Sequence, residues 1–357
     1  LAPYLGFSIL SGINAENVDN WSHLGGLVGG AVLITLLEPE VLAVRTAINR
    51  RWRLATVGLM AAVGLGIAVR GAWMVPLSDD QAEGWTVARP DYWQQGWTFT
   101  GDRGWFSPTL QANISSTTTT HPRPISPDAA ADALIERVTS DSREATVVSR
   151  EATLLAGLDA RRLVLRFDLY GQQQEIVALV VTRGVYEHRV QFQSIASSAS
   201  RYHPLVGRVA DSVTFSDVAE LVDARSRAGM HPRSAEPASA LGRALYRAGD
   251  PEGALQAYDK SLRISPGRVE ALAGRLRVYA DYSLPGGDSF AREALVGWPL
   301  EPRVVVAATD ALTSAGADQE ATDALDQAWA DLPGDRTLRR ARLRRGLPVS
   351  MPDEGGG

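Results

Sequence analysis

Leu163-Val164-Leu165-Arg166-Phe167-Asp168-Leu169 alternates side chains with a period of two. A β-strand with this spacing turns Leu163, Leu165, Phe167 and Leu169 to one face and Arg162, Val164, Arg166 and Asp168 to the other. Downstream, Ile176–Thr182 is a β-branched run, and Val185–Ser194 alternates again around Val190 and Phe192. Gly171 and the Arg183-Gly184 pair supply the intervening turns. Upstream, Ser126-Pro127-Asp128 has the form of a helix start, with Ser as cap and Pro at the first position, leading into a helix to about Ser140. Residues near 202–212 form a closing helix. The order helix–strand–strand–strand–helix predicts an α+β sheet domain over residues 79–222.

Composition bounds what surrounds this domain. The chain has 357 residues, 45% hydrophobic and 22% charged, with no cysteine and a formal net charge of −5. The length favours more than one unit, and the missing cysteine excludes disulfides, thiolate metal sites and a cysteine nucleophile. The mild acidic balance gives no footprint for a nucleic-acid partner. Lys260 is the one lysine among 36 basic residues.

The first 78 residues differ from the rest. They carry five arginines and four acidic residues and contain two apolar stretches, Trp21–Leu37 and Leu54–Leu77. A membrane-spanning helix needs about 20 such residues, so both stretches are read as spans, and residues 1–13 as the end of an earlier one. Trp52 and Trp73 bracket the second stretch at roughly 31 Å, the separation of two interfacial aromatic belts. The loop between the stretches holds Arg45, Arg50, Arg51 and Arg53, which places it in the cytoplasm and everything after about residue 78 outside. His23 lies in the first turn of a span, beside two interleaved Gly-x-x-x-Gly pairs, Gly25/Gly29 and Gly26/Gly30, that let a second helix approach closely. An ionisable residue there is either a functional group or a histidine hydrogen-bonded at the headgroup level.

The run Asn17-Val18-Asp19-Asn20-Trp21-Ser22-His23-Leu24-Gly25-Gly26-Leu27-Val28-Gly29-Gly30 resembles the sixth transmembrane helix of rhomboid intramembrane serine proteases. His23, Gly26 and Gly30 match the A-H-x-x-G-x-x-x-G motif, with Ser22 in place of Ala. The resemblance implies a partial rhomboid-like transmembrane bundle in the cell membrane and a Ser–His dyad in which His23 is the general base. It implies no cofactor and no metal. Its substrates would be membrane proteins, cleaved in or near their transmembrane segments. The family's G-x-S-G nucleophile has no counterpart here, since Ser8 and Ser11 stand in Gly6-Phe7-Ser8-Ile9-Leu10-Ser11-Gly12. Leu1, inside an apolar run, is accordingly expected to mark the C-terminal part of a longer protease.

Trp85, Trp93, Trp97 and Trp105, in a segment ending in Ser/Thr/Pro-rich sequence around Thr117–Thr120, are taken as strand or core residues; His188 and His203 are taken as surface or turn residues. The sheet region resembles PsbP-like exported domains. Leu241, Gly242, Leu245, Gly249, Ala254, Tyr258, Leu262 and Pro266 are similar to the pattern of a tetratricopeptide repeat, whose period is about 34 residues. A looser copy contains Leu312, Gly316, Ala321, Leu325, Ala328 and Pro333, with a degenerate stretch at 269–302. Repeats are therefore expected over 233–346, binding a protein or peptide partner, and a disordered tail over 347–357. The alternative to a protease is a non-catalytic, membrane-anchored interaction or scaffold protein.

Overall fold

The computed structural model describes residues 77–349, apart from 83, 92, 98–102, 108–111 and 143. The expected spans 21–37 and 54–77, His23, Gly25, Gly26, Gly29 and Gly30, and the tail from residue 350 lie outside the described residues, Leu77 excepted.

Among the described residues, ten strands precede or flank the first helices: β1 (Leu77–Ala82), β2 (Trp85–Pro90), β3 (Gln94–Trp97), β4 (Arg103–Phe106), β5 (Ala112–Thr120), β6 (Thr146–Leu155), β7 (Leu158–Leu169), β8 (Gln172–Arg183), β9 (Tyr186–Ile195) and β10 (Thr214–Phe215). Seven form one antiparallel sheet in the order β3-β4-β5-β9-β8-β7-β6, and β1-β2-β10 form a small second sheet. The three long hairpins turn on two residues each. Ala156-Gly157 and Tyr170-Gly171 have positive φ at both positions, the geometry that matches the twist of paired strands.

The alternation in β7 places its side chains on two buried faces. Leu163, Leu165 and Phe167 join Ile176, Ala178 and Val180 beneath Ala130, Ala131, Leu134 and Val138 of α1 (Pro127–Asp141). Ser126 caps that helix, its Oγ accepting from the Ala129 amide at 3.1 Å. Val164, Val177, Leu179, Val190 and Phe192 face the other way, onto Leu205, Val206 and Val209 of α2 (Ala199–Asp211) and onto Trp85, Trp93 and Trp105. The Ser/Thr-rich tract Thr117–Thr120 is strand. It ends β5, which pairs with β9 at nine successive positions, and its β-branched threonines suit a pleated strand.

A helical region follows: α3 (Ala219–Met230), α4 (Ala235–Arg247), α5 (Pro251–Ile264), α6 (Val269–Tyr282), α7 (Gly287–Gly297), α8 (Pro302–Ser314), α9 (Asp318–Asp331) and α10 (Arg336–Arg344). The helices beginning at 235, 269, 302 and 336 recur with a period of about 34 residues, and α5, α7 and α9 pack behind the first three as their partners. Pro285-Gly286-Gly287 forms the turn between α6 and α7, with Gly286 in the left-handed region, so the stretch around it is a helix pair like its neighbours. Tyr258 joins the first two pairs. Its buried ring lies against Gly242 of α4 and Gly274 of α6, where a β-carbon would collide with it. Burial pushes its hydroxyl pKa up to about 12.

The expected fold class, a transmembrane bundle followed by exported domains, is corrected. No helix among the described residues is long and apolar enough to cross a membrane. The longest, α1, has 15 residues, about 22 Å at 1.5 Å per residue against a hydrocarbon thickness of about 30 Å. A sheet domain joined to a helical region is what the structure shows, and a multi-pass membrane localisation is not supported.

If Tyr258 holds the first pairs together, Gly274→Val will lower unfolding free energy by about 1–3 kcal/mol through overpacking. Gly267→Ala, at an exposed turn with open space around it, will change it by less than about 0.5 kcal/mol. Chemical denaturation of both variants checks this; equal effects would contradict the packing.

Candidate functional site

The sheet domain meets the helix pairs at the β8–β9 turn. Val185 donates its amide to the Arg247 carbonyl at 2.9 Å, and Gly184 (φ +58°) and Gly249 (φ +83°) pass too closely for side chains. Around this contact Val185, Tyr186, Val218 and Leu221 share one core with Leu245, Tyr246, Ala254 and Tyr258. The junction therefore buries both backbone and apolar surface.

Beside it, a chain of polar contacts crosses successive first helices of the pairs. Tyr246 of α4 donates its hydroxyl to Asp281 of α6 at 2.5 Å. Arg123, from the loop between β5 and α1, reaches Asp281 at 3.5 Å and Asp310 of α8 at 2.6 Å. Asp310 also meets Arg345, just past α10, at 3.5 Å, and Arg345 donates to the Thr309 carbonyl and the Thr313 hydroxyl. The two carboxylates are largely shielded, with side chains 10% and 18% exposed, while Arg123 is 49% exposed. Burial works against the Arg123 charge, but the Asp310 and Asp281 carboxylates outweigh it and raise its pKa. Burial, then the bond to Asp281, raises that of Tyr246. Half-exposed ion pairs contribute only about 0–1 kcal/mol each, so this chain orients groups more than it stabilises the fold.

An open cavity of about 500 Å³ begins at this chain and extends toward α9 and α10. Arg123, Asp310, Thr313, Thr322, Arg344 and Arg345 are among its lining residues. Guanidinium groups and carboxylates lie within one cleft there, so it can pair with charges of both signs and donate hydrogen bonds to carbonyl groups of an extended backbone. No group of three or more His, Asp or Glu that could hold a metal ion occurs among the described residues.

The comparisons with known proteins name no family. No family model matches the chain, and no curated protein does. Among solved structures, the cyanobacterial PsbP (CyanoP) from Synechocystis sp. PCC 6803 is similar at 14% identity, over 40% of this chain and 94% of that one, with a TM-score of 0.34. LpqN of Mycobacterium tuberculosis, described as involved in cell envelope biogenesis, is similar at 12% identity, over 40% and 91% of the two chains, with a TM-score of 0.29. Likeness at this level identifies neither family nor activity.

The rhomboid assignment and the serine-protease reading attached to it are corrected by these findings. The Asn17–Gly30 resemblance covers one short segment, and neither a family model nor a curated relative extends it. The tetratricopeptide resemblance likewise has no matching family model, although the helix pairs and their period are present.

The two downstream histidines part company. His188 is no surface residue: it is 1% exposed in β9, its ring 5.1 Å from Trp85 and 5.4 Å from Phe215, with Nδ1 3.2 Å from the Thr118 hydroxyl. His203 is half-exposed on α2, its Nε2 3.3 Å from the buried Glu175 carboxylate, which also pairs with Arg166. Of the four tryptophans, Trp85, Trp93 and Trp105 lie in the core. The residues that make the cleft, Arg123, Tyr246, Asp281, Asp310 and Arg345, were not singled out by sequence reasoning. The available signal was Pro122-Arg123-Pro124, a charged residue between two prolines.

Burial, aided by the Arg183 charge, lowers the His188 pKa to about 4, below its ordinary 6.5. The unfolded chain then binds the proton more readily, so the stabilisation is full above about pH 6.5 and is lost as pH falls toward 4. The full shift corresponds to up to about 3 kcal/mol. Unfolding free energy followed from pH 7 to 4 should fall less steeply in His188→Gln than in wild type; identical slopes would contradict a neutral, buried His188.

Proposed function

We propose that this chain is a protein-interaction module in which the helix pairs bind an extended segment of a partner protein along the cleft next to Arg123. The observation that carries the reading is the continuous polar chain Tyr246–Asp281–Arg123–Asp310–Arg345, which opens into the 500 Å³ cavity. Stacked helix pairs of this period generate elongated surfaces on which successive helices contribute one or two side chains each. An extended segment meets such a surface well, because its side chains and backbone groups recur at short intervals along its length. The partner acts through side-chain pairing and backbone hydrogen bonds, and the sheet domain contributes Arg123 to the lining of the cleft.

A displayed library of unstructured peptides, selected against the intact chain, tests this reading. Enriched peptides should lose at least about tenfold in affinity on Thr313→Trp with Arg344→Glu, which fills the cavity and reverses one of its charges. Failure to enrich any peptide, or equal binding to the double variant, would contradict it.

A further inference from the structure

We propose that the Asp281–Asp310 pair is a recognition subsite for an arginine of the partner segment, and that Pro122-Arg123-Pro124 is a built-in competitor seated in it. This rests on the cleft reading above and adds to it the chemistry of one position and a device that controls access.

Three features support it. First, the two carboxylates come from consecutive first helices and converge on one guanidinium, at 3.5 and 2.6 Å. A planar cation with several donors suits two separate carboxylates better than a single ammonium does. Second, each carboxylate has its own tether that does not involve Arg123. The Tyr246 hydroxyl holds Asp281, and Arg345, itself bonded to Thr309 and Thr313, faces Asp310. The subsite is therefore pre-shaped and does not depend on the residue that fills it.

Third, the occupant is lightly held. Its loop makes backbone hydrogen bonds from His121 to the Val185 carbonyl and from Ile125 to the Gly184 carbonyl, at its two ends, where the His121 ring also pairs with Glu187 at 2.9 Å. Between them, Pro122 and Pro124 have no amide hydrogen to bond, and Pro122 and Arg123 are exposed. The loop thus presents an arginine at a bend formed by Pro122 and Arg123, and the neighbouring cavity leaves room for a partner's segment to continue. A tethered arginine acts at an effective concentration in the millimolar range, which a free segment must overcome.

A labelled peptide copying residues 119–126, Thr-Thr-His-Pro-Arg-Pro-Ile-Ser, provides the probe, with fluorescence anisotropy on the full chain as readout. Arg123→Ala should bind it at least about tenfold more tightly than wild type, and Arg123→Gln should do the same if removal of the larger side chain disturbs folding. Adding Asp281→Asn and Asp310→Asn should abolish the gain, and replacing the peptide's arginine by alanine should do so as well. Equal binding to wild type and to both Arg123 variants, or none to any of them with circular dichroism unchanged, would overturn the proposal. If library-selected peptides still bind the cavity in that case, the arginine subsite fails while the cleft reading stands; loss of both sinks the two together.

Discussion

The arrangement of the whole molecule depends on how β9 ends and the helix pairs begin. The Val185 amide bonded to the Arg247 carbonyl, with two glycines at positive φ pressed against each other, fixes where the sheet stands relative to α4 and α5. A side chain at Gly184 would strike the Arg247 backbone, so this contact tolerates neither a shift nor a substitution. The apolar core shared by Val185, Tyr186, Leu245 and Tyr246 then makes the two regions a continuous packed body at this seam. Because β9 pairs on both sides, with β5 and β8, the position of the turn passes directly to the β5–α1 loop that carries Arg123.

This geometry explains why a residue of the sheet domain completes a cleft on the helices. Asp281 and Asp310 are well separated in sequence from Arg123, and only the seam brings them within ion-pair distance. The cleft is in this sense a property of the junction. Its polar chain adds little to stability, but it sets the direction of each carboxylate and guanidinium, which is what recognition requires.

Local pattern in the sequence was informative where local forces decide. The alternation at Leu163–Leu169, the Ser126 cap and Gly242 against Tyr258 each follow from periodicity or sterics within one or two elements, and each is present in the structure. Readings failed where the environment is built from distant segments. His188 looked like a turn residue because its covering rings, Trp85 and Phe215, come from strands far away in the chain. Thr117–Thr120 reads only as Ser/Thr/Pro-rich sequence, because polar threonines hide a strand whose partner lies some 70 residues downstream. The same reasoning applies to Arg123, whose partners lie on α6 and α8. The membrane and rhomboid readings rested on hydropathy and one short motif, and the comparisons give them no support.

A double-mutant cycle on Arg123→Ala and Asp310→Asn, read as unfolding free energy of the full chain, tests the central claim that the seam brings Arg123 of the sheet domain against Asp310 of the helix pairs. The account predicts a favourable coupling of about 0.5–1 kcal/mol, in keeping with a pair that is partly shielded from water. Strictly additive effects, with no coupling, would contradict it.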